Sequence, residues 1–350
     1  MYDYLIIGQG IAGTTLTHQL ISEGYKVCVI DENPTSSSSK IASGLWNPVV
    51  LKRMKKVWLA DEMMNALIPF YQDIEEKTKG SFIDDQNIKR ILNSVEEQNN
   101  WHEQSDSPMF SDILSSTIDN NTNKSLKAEF GLGTVLKSGR INVLNYLEAS
   151  KAYFQEQHAY HEDSILYQDI HWEEELISWR GYRAKHIIFC EGHQTRFNPW
   201  FSYLPLAPTK GEVLKVKSEL NLDFPVNGGK FILPLGDDNY KIGATYAWDE
   251  LNDKPTDEGS KQLKEGWSKM SKSDFETLDH QAGIRPTVKD RRPLLGTHPN
   301  HKNIHIFNGL GSRGILMAPY LAKCLSNHIN KNEYLHPEMN IARFSDLLSE

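Results

Sequence analysis

The chain opens with an apolar strand that runs directly into a glycine-rich turn. Residues Tyr4–Ile7 are followed by Gly8, Gly10 and Gly13, in the spacing G-x-G-x-x-G. A helical pattern and a second apolar strand come next, so the first thirty residues predict a β-α-β unit. In such a unit the glycines permit a tight turn, and the N–H groups at the helix start face a bound phosphate. This opening predicts a parallel α/β domain that binds a dinucleotide.

The acid at the end of the second strand extends this prediction. Asp31 stands where such folds place a carboxylate that accepts hydrogen bonds from ribose hydroxyls, and Glu32 follows it. The alternative is a glycine-rich turn with an acid that faces solvent. The motif by itself does not distinguish FAD from NAD.

Composition excludes several classes of protein. The chain has 350 residues, 39% of them hydrophobic, with no apolar run of transmembrane length, and Asp3 stands where a signal peptide carries positive charge. We therefore expect a cytoplasmic protein without a membrane span. Three scattered cysteines and thirteen histidines show no metal-ligand spacing, so no metal is expected. A net charge of −8 makes nucleic acid an unexpected partner, although residues 52–56 form a basic cluster.

A second glycine-rich region lies far along the chain. Residues 283–286 read Gly-Ile-Arg-Pro, and residues 307–319 contain three further glycines. Such glycines let the backbone approach a flat ring closely. We expect a helix to begin near Met317, with Pro319 in its first turn and its positive end towards the same place.

These segments resemble the D-amino-acid-oxidase-like superfamily of FAD-dependent oxidoreductases, which includes glycine oxidase and monomeric sarcosine oxidase. Residues 283–319 are similar to its C-terminal signature, residues 42–44 to a segment that borders the flavin, and residues 189–192 to a turn near the cofactor. The resemblance implies FAD, bound non-covalently because Cys324 is not placed for a covalent link. The expected cofactor-binding residues are Gly8, Gly10, Ile11, Ala12, Gly13, Asp31, Glu32, Ala42, Ser43, Gly44, Cys190, Gly192, Gly311, Ser312, Arg313, Gly314 and Ile315.

The resemblance also implies an enzyme. It would oxidise the C–N bond of a small amino acid or N-alkyl amino acid by hydride transfer to flavin N5, followed by imine hydrolysis. Its partners would be a small carboxylate-bearing amine and O2 or another electron acceptor. In the family, the arginine of the G-x-R-P pattern holds the substrate carboxylate, and Arg285 stands there. The alternative for Arg285 is a structural ion pair, with Asp290 as the candidate partner.

Two further catalytic candidates lie earlier. Residues 240–243 resemble the sarcosine-oxidase strand whose lysine helps oxygen accept electrons, which points to Lys241; the alternative is a solvated strand lysine. Tyr246, taken to continue that strand, either lines the pocket or packs in the core. Phe231 stands where glycine oxidase has a carboxylate-binding tyrosine, which argues against glycine itself as the substrate.

Two other functions remain open. Residues 308–319 and 42–44 also resemble the FAD domain of the bifunctional enzyme that matures a wobble uridine in tRNA, which likewise cleaves a C–N bond. Net acidity and the lack of an attached methyltransferase domain count against this interpretation. A flavin-binding protein without catalysis is the third hypothesis, and it requires Arg285 to point away from the flavin.

The expected fold class is α/β: a Rossmann-like FAD-binding domain with an inserted antiparallel-sheet α+β substrate domain. The FAD-binding domain is expected to be discontinuous, over residues 1–50, 135–205 and 275–350, and the substrate or cap domain to take residues 51–134 and 206–274. Within these, the patterns predict helices over residues 58–79 (bent at Pro69) and 143–155, strands over 212–216, 230–233 and 240–246, and a polar surface segment over 94–127.

Overall fold

The protein is described from a computed structural model, which covers residues 1–173 and 176–349. Its α-helices are α1 (Ile11–Ser22), α2 (Ser38–Ile41), α3 (Ala60–Thr78), α4 (Val95–Asp106), α5 (Val143–Glu156), α6 (Asp257–Met270) and α7 (Gly314–Lys331). Its strands are β1 (Tyr2–Ile7), β2 (Val27–Asp31), β3 (Leu45–Trp46), β4 (Val49–Val50), β5 (Lys55–Lys56), β6 (Ile83–Asp84), β7 (Ile88–Ile91), β8 (Leu114–Asp119), β9 (Leu132–Val135), β10 (Gly139–Ile141), β11 (Tyr160–Glu162), β12 (Ile170–Glu173), β13 (Leu176–Trp179), β14 (Tyr182–Phe189), β15 (Thr209–Lys217), β16 (Val226–Asn227), β17 (Phe231–Gly236), β18 (Asn239–Gly243), β19 (Glu276–Arg285), β20 (Leu294–His298) and β21 (His301–Asn308). Short 3₁₀ helices occupy Tyr167–Asp169, Gly192–Phe197 and Ile341–Ser349.

The first sheet has a parallel centre, in the order β11-β2-β1-β14-β21. Strands β20, β13 and β12 extend it in antiparallel pairings. Leu5 of β1 pairs with Cys28 of β2 on one side and Ile187 of β14 on the other. These central strands are apolar on both faces because a separate hydrophobic cluster packs on each face. This is the predicted Rossmann-like half of the fold.

The second sheet has the order β19-β15-β18-β17-β16-β7-β9-β8. Its pairings are antiparallel except for the parallel pair of β16 with β7. One face packs against α6 through Leu263 and Trp267. The opposite face carries Gly211, Val213 and Phe231 towards a cavity between the two sheets. The α/β fold class is confirmed by these two sheets and by the structural neighbours reported below.

Two elements lie in a different part of the fold from the one that the expected domain boundaries gave them. Helix α3 presents Met63, Leu67 and Tyr71 at helical spacing, and these pack into the core beneath the first sheet rather than in a cap domain. Pro69 lies inside this helix. Strand β19 joins the second sheet, where it pairs with β15 along its whole length, although its residues were expected in the FAD-binding domain.

Three local predictions were wrong. Residues 94–127 are not only surface, because they form α4 and β8, and Trp101 is buried against Gly133, whose missing side chain leaves room for the indole. Strand β18 ends at Gly243, so Tyr246 lies beyond it. Helix α7 begins at Gly314, where the glycine-rich turn ends, which places Pro319 in its second turn.

Among residues 1–173 and 176–349, no helix combines the length and the apolar character needed to cross a membrane.

Candidate functional site

A cavity of about 1200 Å³ lies between the two sheets. Its floor is formed by the turn after β1, the end of β2, the turn after β14 and the start of α7. Helix α2 and the loop before it form one wall, and the second sheet forms the opposite wall. The cavity volume exceeds the range of about 300–1,000 Å³ that is typical of a pocket for one drug-sized ligand.

The glycine-rich turn after β1 is closely packed. Gly8 has φ +101°, and a Cβ there would lie 2.7 Å from the carbonyl oxygen of Cys190. A Cβ on Gly13 would lie 1.8 Å from the carbonyl oxygen of Gly8. Gly10 caps α1 without a side-chain hydrogen bond. The turn therefore needs glycine at positions 8 and 13, and residues 10–12 at the start of α1 line the cavity, where a phosphate group would be held.

The end of β2 is held in place by backbone amides. The Asp31 carboxylate accepts hydrogen bonds from the N–H of Gln9 at 2.6 Å and of Asn33 at 2.7 Å. The Ser39 hydroxyl accepts the N–H of Ile11 at 3.0 Å, which ties the serine loop to the start of α1. A carboxylate accepts about four hydrogen bonds, so Asp31 keeps capacity for a ribose hydroxyl.

The turn after β14 holds a partly buried acid, Glu191, which was not among the predicted site residues. The Glu191 carboxylate accepts hydrogen bonds from the Tyr167 hydroxyl at 2.8 Å and from Asn198 Nδ2 at 2.9 Å. Burial raises the pKa of Glu191 to about 7. Only its neighbours Cys190 and Gly192 were expected in the site, yet all three line the cavity.

The segment before α7 brings a second helix start to the same cavity. Asn308 Nδ2 donates to the Gly192 carbonyl oxygen at 2.7 Å, which links the end of β21 to the turn after β14. Gly314, the first residue of α7, lies against Ile11 of α1. Both helix N-termini therefore point their partial positive charge into one space, which suits a cofactor that carries phosphates and an electron-rich ring.

Arg285 ends β19 at the edge of the cavity. Its Nη1 donates to the carbonyl oxygens of Lys210 at 3.4 Å and of Thr245 at 3.3 Å. Its guanidinium carbon lies 4.5 Å from the centroid of the Tyr246 ring, and its terminal nitrogens pack over Gly211. Burial lowers the pKa of the Arg285 guanidinium.

The expected alternative partner of Arg285 is engaged elsewhere. The Asp290 carboxylate pairs with Arg343 Nε at 3.0 Å. Within residues 1–173 and 176–349, Arg285 forms no ion pair with a carboxylate. A largely buried guanidinium without a counter-ion can form two parallel hydrogen bonds to a carboxylate from outside the protein.

The cavity brings together nearly all of the predicted site residues. Every expected cofactor-binding residue lines it except Gly13, which packs behind the turn, and the catalytic candidates Arg285 and Tyr246 line it as well. Lys241 does not. Its ammonium group donates to the carbonyl oxygen of Ile41 at 3.4 Å, and Ile41 lines the cavity, so a catalytic role for Lys241 stays a prediction.

Lys241 offers a test by pH. Burial, with Arg140 nearby, lowers its pKa to about 8 from 10.5. The unfolded chain therefore holds this proton more tightly, and the free energy of unfolding should rise as the pH rises from 8 to 10.5. We expect Lys241→Met to raise the free energy of unfolding at pH 7 by roughly 1–3 kcal/mol and to remove that pH dependence, as measured by urea unfolding. A much slower reoxidation by O2 in this variant, with FAD binding intact, would instead establish the catalytic role.

Several cavity residues were missed by sequence reasoning. Gly211 packs against the Arg285 guanidinium, but it lies just before the predicted strand over 212–216 and was not selected as a site residue. Arg313 was expected at the cofactor, and the structure adds that its guanidinium donates to the Asn47 carbonyl oxygen at 3.4 Å. No signal in the sequence identified Asn47. The described part of the chain contains no group of three or more histidine, cysteine, aspartate or glutamate side chains placed to hold a metal ion.

Comparison with known proteins decides the cofactor. The family described as FAD dependent oxidoreductase matches residues 3–328. The chain belongs to this family. The glycine cradle, the two helix starts and the cavity fit the FAD that the family uses, and the chain is accordingly an FAD-dependent oxidoreductase.

Individual relatives agree on the fold. The glycine oxidase of Bacillus cereus superposes with a TM-score of 0.78 at 22% identity, over 95% of this chain and 96% of its own. Iminodiacetate oxidase from Chelativorans superposes with a TM-score of 0.77 at 16% identity, over 98% of both chains. The tRNA 5-methylaminomethyl-2-thiouridine biosynthesis bifunctional protein MnmC of Marinobacter nauticus is 25% identical over 93% of this chain. That match covers 55% of the bifunctional protein, so the chain spans about half its length.

Proposed function

We propose that this enzyme oxidises the C–N bond of a small amine that carries a carboxylate, either an amino acid or an N-alkyl amino acid. The observation that carries the proposal is Arg285, a largely buried cation at the cavity edge that forms no ion pair among the described residues. The names of the structural neighbours support this class, since glycine and iminodiacetate both carry a carboxylate on the carbon next to nitrogen.

The residues of the chain act mainly by positioning. The Arg285 guanidinium binds the carboxylate through its planar fork, and the Tyr246 ring beneath it keeps the fork in one orientation. Gly211 leaves the space that the guanidinium occupies. Bound FAD would supply the acceptor for the hydride that leaves the carbon next to nitrogen, and the nitrogen gives up a proton as the C=N bond forms. Holding the amine in one orientation accounts for much of the expected acceleration, and the imine product hydrolyses in water.

The test is an anaerobic titration of the purified holoenzyme with glycine, sarcosine, iminodiacetate, D-alanine and D-proline. We expect one of these amines to bleach the visible flavin band, with sarcosine or iminodiacetate ahead of glycine because Phe231 replaces the tyrosine of glycine oxidase. A protein that binds FAD but is bleached by none of them would contradict a small amino acid as substrate.

A second candidate substrate is a modified uridine in tRNA. The match to MnmC covers nearly the whole chain, and the exposed side chains of Lys52, Arg53 and Lys55 follow Leu51, which lines the cavity. Cations beside a cavity mouth would attract a phosphate backbone. If this candidate is correct, tRNA that carries the aminomethyl-type side chain will bleach the flavin, and replacing the three cations with glutamate will abolish tRNA retention without changing FAD content. Bleaching by free amino acids at the same rate in that variant favours the first candidate.

A further inference from the structure

A lysine and a glutamate are almost fully buried on either side of Gly211 in β15. Lys210 is 1% exposed and Glu212 is 2% exposed. Because side chains alternate along a strand, both point to the face opposite the one where Gly211 carries the Arg285 guanidinium. Charged side chains are rarely buried to this extent unless each is paired. The partners of Lys210 and Glu212 therefore indicate what these two residues do.

The partners of Lys210 lie in the segment that leaves β18, residues 244–256, here called the wall segment. Lys210 Nζ donates to Asn252 Oδ1 at 3.0 Å and lies 3.9 Å from a carboxylate oxygen of Glu250. Its backbone exchanges hydrogen bonds with Ala247, at 2.9 Å and 3.0 Å. Lys210 therefore holds the wall segment at its middle.

Glu212 holds both ends of the same segment. Its carboxylate accepts hydrogen bonds from the Thr256 N–H at 2.9 Å and the Thr256 hydroxyl at 2.8 Å. Its N–H donates to the Thr245 hydroxyl at 2.9 Å. The carboxylate also lies 2.8 Å from His280 Nε2 and 3.9 Å from Lys210 Nζ. Each charge of the buried pair therefore has an oppositely charged side chain within 3.9 Å.

The wall segment in turn forms part of the candidate substrate site. Ala244, Tyr246 and residues 251–253 line the cavity. The Tyr246 ring stacks on Arg285, and Arg285 donates to the carbonyl oxygens of Thr245 and of Lys210 itself. The orientation of the guanidinium thus depends on backbone positions that the buried pair fixes.

We propose that Lys210 and Glu212 are positioning residues that hold the wall segment in the conformation in which Arg285 and Tyr246 receive the substrate carboxylate. The proposal rests on the proposed role of Arg285 as carboxylate ligand. The pair acts on substrate affinity through the wall segment, and neither residue touches the substrate. A role confined to the stability of the second sheet would leave carboxylate affinity unchanged.

The test uses the FAD-loaded Lys210→Met variant, with Lys217→Met as control, since Lys217 is an exposed lysine at the end of the same strand. Glycolate, which has the carboxylate of glycine but no amine, serves as the probe through its perturbation of the flavin spectrum. We expect Lys210→Met to weaken glycolate binding about 10-fold and to speed chymotryptic cleavage after the exposed Trp248 by a similar factor, with FAD content unchanged. Lys210→Arg should recover most of the affinity, because it keeps the charge and a donor.

Two results would overturn the proposal. Glycolate binding that is equal in wild type and Lys210→Met, whatever the cleavage rate, would show that the pair does not act on the site. Wild-type enzyme that binds no glycolate at all would contradict the role of Arg285 and, with it, the proposed function. If Lys210→Met does not fold, Asn252→Ala removes the same contact from the wall segment, and the same weakening of glycolate binding is expected.

Discussion

Replacement of Arg285 with leucine is expected to raise KM for a carboxylate-bearing amine by about 100-fold while the flavin stays bound. The guanidinium forms no ion pair with a carboxylate of the described chain, so its charge is available to the substrate. Removing one partner of a desolvated, hydrogen-bonded charge pair costs about 2–5 kcal/mol, and 3 kcal/mol corresponds to a factor of more than 100. Steady-state kinetics on the amine that bleaches the flavin, together with FAD content, measure both parts of this prediction.

Two further variants separate substrate binding from a structural effect. Arg285→Lys keeps the charge but loses the planar fork, so an intermediate KM is expected. Gly211→Ala keeps the arginine but places a Cβ only 1.9 Å from its Nη2, which must displace the guanidinium. KM should therefore rise in Gly211→Ala as well. Unchanged KM in Arg285→Leu, with wild-type thermal stability, would show that the arginine is structural and that the carboxylate binds elsewhere.

The nucleotide half of this fold could be predicted from local sequence because its constraints are local. Gly8 and Gly13 are required by close backbone contacts within one turn, and the spacing of the glycines after an apolar strand predicts that turn. The prediction of a flavin cofactor and of a substrate-binding role for Arg285 came from the resemblance to a family. Gly13 was predicted to bind the cofactor but does not line the cavity. It packs behind the turn instead.

The rest of the site depends on contacts between residues far apart in the chain. Lys241 was assigned from a short resemblance, and its contact with the Ile41 carbonyl oxygen and its closeness to Arg140 could not be predicted from any local pattern. Lys210 and Glu212 lie in a strand, where charged side chains are usually solvated, and their burial follows in large part from the wall segment that folds over them. Likewise, Trp101 in a polar stretch became a core residue because Gly133 leaves a space for it.

A substitution at Gly13 should have its largest effect on the cofactor. The Cβ of Gly13→Ala would lie 1.8 Å from the carbonyl oxygen of Gly8 and 3.3 Å from Cys190 Cβ, so α1 must move away from the turn. Displacement of this helix start removes N–H groups from the place where a pyrophosphate is held. Overpacking of this kind costs about 1–3 kcal/mol, and with the lost hydrogen bonds we expect FAD affinity to fall by about 100-fold or more.

The measurement is the FAD content of purified protein and the quenching of FAD fluorescence on titration into apoprotein. Gly181→Ala is the matched control, because Gly181 has φ +87° in a hairpin turn, with no atom within 4 Å of its added Cβ. Alanine at this position is strained by the positive φ but does not touch the cavity. Gly181→Ala should therefore be less stable than wild type and still bind FAD. In Gly10→Ala the added Cβ meets only the movable Ser39 side chain at 2.9 Å. Its FAD affinity should therefore lie between those of Gly13→Ala and Gly181→Ala. Stoichiometric FAD in Gly13→Ala, at wild-type affinity, would mean that the turn after β1 does not hold the cofactor phosphates.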